Sequence, residues 1–176
     1  MLGIPVYDSD SRAKWLMNNS CELQQRLMAR FGTDIYDDGG LRRKVLAERV
    51  FSDSEALAAL DAIVHPAVAD DFLAWAERLS ADGEQVVVLE SAILFSSGFD
   101  RFVDRCAAVV APDELRVERA MQRDGAAKEQ VCARIAAQMP QAEVAERCDY
   151  VIMNDQKSLL WPQVLSLVEE WQNDRV

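Results

Sequence analysis

Four consecutive apolar residues in the middle of the chain, Val86-Val87-Val88-Leu89, constrain the fold more than any other feature. An unbroken, mostly β-branched run predicts a strand covered on both faces, as in a parallel sheet. Shorter runs predict further strands at residues 4–7, 106–111 and 150–152, with helical patterns between them. Strands that alternate with helices predict an α/β fold with a parallel sheet flanked by helices.

The helices are delimited by capping residues, glycines and prolines. Asn18-Asn19-Ser20 predicts a break in the helical pattern after the first strand, and Gly32 predicts its end. Asp37-Asp38-Gly39-Gly40 predicts a turn, and Pro66 predicts the first turn of a new helix that reaches about residue 81. Further helices are predicted at residues 41–51, 56–64, 113–123, 126–139 and 159–171.

Size and charge exclude several classes of protein. The 176 residues fit one domain, and 50% hydrophobic residues exclude a disordered chain. The net charge of −11 opposes binding to nucleic acid, so we expect no nucleic-acid partner. No apolar run approaches the roughly 18 residues of a membrane helix, so we expect no membrane partner either. A single histidine excludes H-E-x-x-H metal sites.

The cysteines and the N-terminus bear on the compartment. Cys21, Cys106, Cys132 and Cys148 are widely spaced and form no C-x-x-C pair, and no signal-peptide pattern follows Met1. We therefore expect a cytoplasmic protein with four free, mostly buried thiols. The seven glycines form no G-x-x-x-x-G-K-[ST] loop, so the usual Gly-rich phosphate cradle is absent from this sequence.

Polar residues follow the predicted strands. They are Asp8 and Asp10 after the first strand, Glu90 and Ser91 after the second, and Asn154 and Asp155 after the last. Ligands of open α/β sheets bind beyond the carboxyl ends of strands. An aspartate there can take a proton from a substrate hydroxyl or hold Mg²⁺. The alternative is that these aspartates only cap the helix that follows.

Arginines recur along the helix that follows the third predicted strand. Arg116, Arg119 and Arg123 are spaced so that they lie close to one helical face, and Lys128 and Arg134 follow. Arginine suits phosphate, which favours a local anion site. The alternative is a solvated helix paired with Glu114, Glu118 and Glu129.

His65 precedes Pro66 and is the single histidine of the chain. Its ring can donate a hydrogen bond to a phosphate or ribose near a helix N-terminus. It can equally serve as an ordinary capping or core group.

Several motifs recur together in a fixed order. They are Leu2-Gly3-Ile4-Pro5-Val6-Tyr7-Asp8-Ser9-Asp10, Gly40-Leu41-Arg42-Arg43 with Val50-Phe51, Ile63-Val64-His65-Pro66, the stretch 86–95, Arg119-Ala120-Met121-Gln122-Arg123-Asp124 with Arg134 and Gln138, and Asp149-Tyr150-Val151-Ile152-Met153-Asn154. In this order they resemble dephospho-CoA kinase, a P-loop kinase family. That family phosphorylates the ribose 3′-hydroxyl of dephospho-CoA in the last step of coenzyme A synthesis. The resemblance covers essentially the whole chain.

The resemblance implies an architecture and a set of roles. We expect one domain over residues 1–176, with a helical CoA-binding region over about 11–81 and a lid over about 113–140. Asp10 is expected to be the catalytic base and Asp8 its neighbour in the substrate site. Arg43 and His65 are expected to contact dephospho-CoA. The expected ATP-binding and lid residues are Arg119, Arg123, Arg134 and Asn154.

The chain departs from the family pattern at several positions. Ala92, Ser96 and Gln156 stand where the family commonly has Pro, Glu and Gly. The family also begins with a strand, a phosphate loop and a helix, about 25 residues that form one strand–loop–helix unit. Those residues hold ATP and Mg²⁺ in the family, so both cofactors are expected to depend on residues largely missing here. The missing strand would be central, and its loss is expected to leave unpaired backbone and exposed apolar surface.

Two hypotheses follow from this departure. In the first, the protein is a dephospho-CoA kinase whose N-terminus is truncated in this chain, which alone has little or no activity. In the second, it is a P-loop-less, non-catalytic relative that binds CoA-like ligands. A kinase for another small hydroxylated substrate is a weaker alternative. The oligomeric state is left open.

Overall fold

A computed structural model of the protein describes residues 2–51 and 53–173. The chain forms two compact units, Met1–Phe102 and Val103–Val176. Each unit contains one pair of parallel strands flanked by helices, which confirms the α/β class. Whether the two units function as the single expected domain stays a prediction.

The strands of the first unit form a parallel pair and a hairpin. β1 (Val6–Asp8) pairs with β4 (Val88–Glu90), so that Asp8 lies opposite Glu90. β2 (Tyr36–Asp37) and β3 (Gly40–Leu41) are antiparallel, where the sequence predicted only a turn.

Gly40 closes the β2–β3 hairpin against the first helix of the unit. Its φ is +100°, and a Cβ there would lie 2.7 Å from Asn18 Oδ1. That oxygen accepts a hydrogen bond from the Leu41 N–H at 3.0 Å. The position therefore requires glycine, both for its backbone conformation and for the close approach.

The helices of the first unit pack around one long helix. α1 (Ser9–Asn19), α2 (Cys21–Phe31) and α3 (Arg43–Phe51) all contact α4 (Ser54–Ala81). The predicted break between α1 and α2 is confirmed, because the Ser20 hydroxyl accepts the Leu23 N–H at the start of α2. Buried apolar side chains at this junction include Leu16, Leu23, Leu27, Ile35, Leu46, Val64, Val68 and Phe72.

The prediction that Pro66 begins a new helix is wrong. Pro66 lies inside the continuous α4, which spans 28 residues. A proline there removes one helical hydrogen bond, to the carbonyl four residues earlier. Both Pro66 and Ala62 are exposed, so water can solvate the freed carbonyl. Buried Val64 and Val68 on either side keep the helix packed as one element.

The second unit has a parallel pair and four helices among its described residues. β5 (Ala107–Val110) pairs with β6 (Tyr150–Met153). The helices are α5 (Asp113–Asp124), α6 (Lys128–Ala136), α7 (Gln141–Arg147) and α8 (Leu160–Asn173). The predicted end of α5 is confirmed, since Gly125 adopts a left-handed conformation with φ +62°. The sequence did not predict α7.

The parallel strands form two separate pairs rather than one continuous sheet. Within residues 2–51 and 53–173 each strand of these pairs has one partner strand, which leaves its other edge unpaired. Apolar side chains on the strands are exposed, Val6 by 59% and Val109 by 61%. The missing central strand itself stays a prediction, because a free edge does not identify what covers it.

Two further expectations concern the surface. All four cysteines are free, but Cys21 and Cys132 are exposed and Cys106 and Cys148 only half-buried. The expectation of mostly buried thiols is therefore wrong, since the helical positions of Cys21 and Cys132 face solvent. Across residues 2–51 and 53–173, no helix combines the length and apolar character that crossing a membrane requires.

Candidate active site

Carboxylates converge at the carboxyl end of the β1–β4 pair. Asp8 and Glu90 are the last residues of their strands and lie opposite each other in the parallel register. Asp10 follows in the first turn of α1. The parallel pairing therefore gathers three acidic side chains, as the sequence predicted for strand ends.

Asp8 is held in place as the N-cap of α1. Its Oδ1 accepts the Ser11 N–H at 2.9 Å, and its Oδ2 accepts the Ser11 hydroxyl at 2.6 Å. These bonds from the Ser11 side chain and backbone lower the pKa of the Asp8 carboxyl. The structure thus supports the capping alternative for Asp8, whose two oxygens both have partners.

Asp10 differs from Asp8 in that it caps no helix and is largely exposed. It lies two residues further on, its side chain is 74% exposed, and it forms an ion pair with Lys14 one turn later. Only one of its oxygens is engaged in that pair. Its second oxygen is therefore available to a substrate at the edge of the strand pair.

Glu90 completes the acidic group, and it was not among the predicted site residues. Burial raises the pKa of the Glu90 carboxyl, and the negative charges of Asp8 and Asp10 raise it further. The signal in the sequence was its position directly after the run 86–89, at a strand end. The Glu90 carboxyl thus lies close enough to Asp8 and Asp10 to be repelled by both.

A partly buried hydrogen-bond network connects the strand and helix of the acidic end to α4. The Tyr7 hydroxyl donates to Asp71 Oδ2 at 2.7 Å, and Arg12 donates to both Asp71 oxygens at 2.6 and 2.9 Å. The bidentate guanidinium lowers the pKa of the Asp71 carboxyl, whereas burial and Asp71 raise the pKa of Tyr7. This network ties β1 and α1 to α4 across 59 to 64 residues of sequence, and no local pattern indicated it.

The two residues expected in the helical region differ in environment. Arg43 is exposed at the start of α3, and no ion pair of its guanidinium is seen among residues 2–51 and 53–173. The His65 side chain is 24% exposed, with Nε2 3.5 Å from Asp61 Oδ1. Its ring packs edge-to-face on Phe99 with the centroids 6.0 Å apart. His65 thus contacts Asp61 and Phe99 inside the first unit, whereas Arg43 projects into solvent.

In the second unit the structure brings two of the predicted residues together. Arg119 donates from Nη1 to the backbone oxygen of Asn154 at 3.1 Å. Asn154 follows β6 directly, and its N–H donates to the Val110 oxygen at the end of β5. The contact therefore places a half-buried guanidinium at the carboxyl end of the β5–β6 pair.

The other two predicted arginines meet on one carboxylate. Arg123 donates to Asp124 at 2.7 and 3.2 Å, and Arg134 donates to Asp124 Oδ2 at 2.7 Å. These two guanidinium groups hold the pKa of the Asp124 carboxyl well below its usual range. Both exposed arginines pair with Asp124 rather than with the glutamates that the sequence suggested, and their role in ATP binding stays a prediction.

The described side chains do not form a metal cage by themselves. No group of three histidine, cysteine or acidic side chains in residues 2–51 and 53–173 is arranged to hold a metal ion. Asp8 uses both oxygens on Ser11, and Asp10 uses one of its two on Lys14. These residues therefore do not form an Mg²⁺ site by themselves.

Comparison with known proteins decides the family. Residues 1–159 match the family model described as dephospho-CoA kinase. A dephospho-CoA kinase from Porphyromonas gingivalis is 42% identical over 175 residues, covering 99% of this chain and 85% of the relative. The chain belongs to the dephospho-CoA kinase family.

Solved structures agree with this placement in the dephospho-CoA kinase family. A protein from Thermus thermophilus is 36% identical, with a TM-score of 0.79 over 96% of this chain and 84% of its own. A dephospho-CoA kinase from Campylobacter jejuni is 25% identical, with a TM-score of 0.66 over 99% of this chain and 88% of its own. The fold expected from the resemblance is thereby confirmed, and so are kinase and transferase as the class of protein.

One departure from the dephospho-CoA kinase pattern has a visible structural basis. Gln156, where the family commonly has Gly, adopts a left-handed backbone with φ +65°. It lies in the turn after β6 in which Asp155 Oδ1 accepts the N–H groups of Lys157 and Ser158. Glycine reaches this conformation without a Cβ clash, which explains why it suits the position.

Proposed function

We propose that the protein transfers the terminal phosphoryl group of ATP to the ribose 3′-hydroxyl of dephospho-CoA, which gives coenzyme A. The observation that carries this proposal is the exposed carboxylate of Asp10 at the carboxyl end of β1–β4, within a chain of the dephospho-CoA kinase family. Two similar proteins that are named dephospho-CoA kinase, from Porphyromonas gingivalis and Campylobacter jejuni, support the substrate class.

Asp10 is the proposed catalytic base. Its free carboxylate oxygen accepts the proton of the 3′-hydroxyl as the ribose oxygen attacks the terminal phosphorus of ATP, whose bond to the bridging oxygen breaks and releases ADP. Lys14 holds the other oxygen through the ion pair and fixes the rotamer of the side chain. Asp8 acts as a positioning residue, because its cap sets where α1 begins and so where Asp10 projects.

The cations of the second unit are the proposed phosphate-binding groups. Phosphoryl transfer depends mainly on positioning and on neutralising charge on the phosphate oxygens. Arg119 is held by the Asn154 carbonyl, which leaves its remaining N–H groups for a phosphate. Arg123 and Arg134 bind Asp124, and we propose that phosphate replaces this carboxylate when ATP binds. Asn154 then lies beside the adenine.

A P-loop-less binding protein is the second candidate function. The observation that favours it is the absence of a G-x-x-x-x-G-K-[ST] loop from the 176 residues. On the first proposal the kinase needs such a loop for turnover, and the chain alone has little or no activity. On the second proposal the chain binds CoA-like ligands without turnover.

Kinase assays on two forms of the protein separate these candidates. The 176-residue chain and a form extended by the in-frame codons upstream of Met1 are each given ATP and dephospho-CoA. Turnover only by the extended form supports a truncated kinase. An in-frame stop codon just upstream, together with binding of dephospho-CoA and no turnover, supports the binding protein. If neither form binds or phosphorylates dephospho-CoA, both proposals are wrong.

The substrate is tested in the same assay. Dephospho-CoA is compared with free nucleosides at equal concentration in the active form. Preference for dephospho-CoA is expected, and equal turnover of another hydroxylated substrate contradicts the assignment.

A further inference from the structure

A groove of about 510 Å³ lies beside β1 in the first unit. It is lined by residues of β1, of the first half of α1 and of the last turns of α4. The volume suits a small organic molecule, since ligand sites commonly enclose roughly 300–1,000 Å³. Asp10 and the arginines proposed to bind phosphate do not line this groove, and Asp8 is the residue that it shares with the acidic strand end.

One edge of β1 has no partner strand among the described residues. β1 pairs with β4 along its other edge, where the Val88 N–H donates to the Pro5 carbonyl at 2.9 Å. Backbone groups alternate in direction along a strand, so Val6 directs its N–H and C=O away from β4. Val6 lines the groove and is 59% exposed. The groove therefore contains a backbone donor and acceptor that the β1–β4 pairing does not use.

Two indole rings border the groove. Trp15 of α1 is 49% exposed, and its ring carries the Arg12 guanidinium, whose Cζ lies 4.1 Å from the ring centroid. Trp75 of α4 is half-buried against the Tyr7 ring, with the centroids 5.4 Å apart. Aromatic rings pack favourably on one another in offset or edge-to-face geometry. Indole surface on two sides of one groove therefore favours a planar aromatic ligand.

Arg78 gives the groove a cation that is available to a ligand. It lies exposed in the last turn of α4, and its guanidinium forms no salt bridge within residues 2–51 and 53–173. Arg12, the other cation of the lining, binds both oxygens of Asp71. Asp8, the acidic residue of the lining, has both oxygens on Ser11. The charge of Arg78 is thus left for an anionic group, which a guanidinium binds through paired hydrogen bonds.

We propose that this groove is a binding site for a planar aromatic carboxylate, separate from the site of phosphoryl transfer. The ring system of the ligand packs on Trp15 and Trp75. Its carboxylate accepts hydrogen bonds from the Arg78 guanidinium and from the outward N–H of Val6. The inference is independent of the proposed function, because it uses neither ATP nor dephospho-CoA.

A peptide added to the edge of β1 explains the groove less well. β1 has three residues, whereas strand addition depends on a run of backbone hydrogen bonds. The two indoles and Arg78 instead line one compact space. Aromatic rings and one convergent charged group are typical of small-molecule sites.

Two-dimensional NMR of the 176-residue chain tests the site, because its four tryptophans give separate indole N–H signals. Naphthoate, a fused-ring carboxylate, is the probe, and single Trp→Phe variants assign the signals. The signals of Trp15 and Trp75 are expected to shift on titration, whereas those of Trp161 and Trp171 in the second unit are expected to stay. Equal shifts of all four signals, or no shift up to the solubility limit of naphthoate, overturn the inference.

The role of Arg78 is tested by removing its charge. Arg78→Met is expected to weaken naphthoate binding about tenfold, as loss of roughly one charged hydrogen bond predicts, and to leave binding of uncharged naphthamide unchanged. Arg78→Lys keeps the charge and is expected to restore part of the affinity. Arg26→Met removes an exposed cation of α2 and is the matched control, expected to change neither ligand. Equal weakening of both ligands by Arg78→Met, or unchanged naphthoate affinity, contradicts the inference.

Stacking and separateness are tested in the same titration. Trp15→Leu is expected to weaken naphthoate and naphthamide alike, about fivefold, whereas Trp161→Leu, which removes an indole that is 54% exposed, is expected to weaken neither. Unchanged affinity in Trp15→Leu would mean that the ring does not pack on the ligand, against the proposal. ATP and dephospho-CoA are not expected to reverse the shifts of Trp15 and Trp75. Displacement of naphthoate by either compound would make the groove part of the substrate site and overturn the inference.

Discussion

The two parallel strand pairs, β1–β4 and β5–β6, have the same architecture and end in side chains of opposite charge. The β1–β4 pair ends in Asp8 and Glu90, with Asp10 in the first turn of the next helix. The β5–β6 pair ends beside Arg119, which donates to the Asn154 carbonyl. In both units the parallel pairing gathers polar groups at the carboxyl end. The residue types then decide whether acidic or basic side chains lie at that end.

A second contrast lies within the acidic end. Asp8 and Asp10 are two residues apart, yet Asp8 uses both oxygens on Ser11 and Asp10 exposes 74% of its side chain. The difference arises because Asp8 precedes α1 and Asp10 lies inside its first turn. The cap stabilises the helix, and the next acidic residue is left exposed to solvent.

The largest expected effect is at Asp10. In an active form of the protein, Asp10→Asn is expected to lower kcat about 10²- to 10⁴-fold, because the amide cannot accept the hydroxyl proton. The KM for ATP is expected to change little. Steady-state kinetics measure both constants, with Asp38→Asn in the exposed hairpin turn as the matched control. A mild loss of kcat would leave Asp10 without a catalytic role and remove the contrast between the two strand ends.

Arg119 is expected to give the next largest effect, on the cationic side of the comparison. Arg119→Met removes the guanidinium at the end of β5–β6. It is expected to raise the KM for ATP about tenfold, because a tenfold change corresponds to the loss of roughly one charged hydrogen bond. Arg116→Met is the control on the same helix, since Arg116 pairs only with Asp113 in the contacts seen. Equal effects of the two variants would mean that the helix charge as a whole matters, not the Asn154 contact.

Asp8 is expected to affect stability rather than turnover. Asp8→Ala removes the side-chain cap of α1 and is expected to lower the free energy of unfolding by about 1 kcal/mol. Asp8→Asn keeps an accepting oxygen and is expected to lose much less. Urea unfolding measures both values. If Asp8→Asn is as unstable as Asp8→Ala, charge rather than capping holds Asp8 in place.

A variant of Gln156 tests the stability of the turn that follows β6 in the second strand pair. Gln156→Gly removes the strain of a left-handed non-glycine residue, and the gain is partly offset by the greater entropy of the unfolded chain. We expect a net rise of about 0.5 kcal/mol in the free energy of unfolding, again measured in urea. Gln130→Gly inside α6 is the control and is expected to destabilise, because glycine disfavours the helix interior. Destabilisation by both variants would show that Gln156 makes a favourable contact.

The smallest expected effect is the pH dependence of stability at the acidic end. The folded state raises the pKa of Glu90, so its contribution is present at low pH and is lost as the pH rises through the folded value. Asp8 has a lowered pKa and contributes in the opposite direction, losing stability as the pH falls. Glu90→Gln is therefore expected to remove the fall in stability on raising the pH from about 4 to about 7. An unchanged pH profile of urea unfolding in this variant would mean that the three carboxylates do not interact.

Local sequence patterns predicted much of the fold. The β-branched run 86–89 indicated a parallel strand, and Ser20 and Gly32 marked helix ends that the structure has. Pro66 misled because its effect on a helix depends on packing and solvation. The short α7 was missed between Pro140 and Cys148, where seven residues are too few to show a clear period.

The sequence by itself determined the α/β class, the residues at the strand ends and, through its motifs, the family. Those properties depend on residue type and on spacing within a few turns of chain. Only the tertiary structure decided which aspartate caps and which remains exposed, that Glu90 joins them, and that Tyr7, Arg12 and Asp71 form one network. It also decided that Arg123 and Arg134 share Asp124. The Tyr7–Arg12–Asp71 network depends on packing, because it joins side chains that are far apart in sequence. Tyr7 and Asp71 are separated by 64 residues, and no local pattern encodes such a contact.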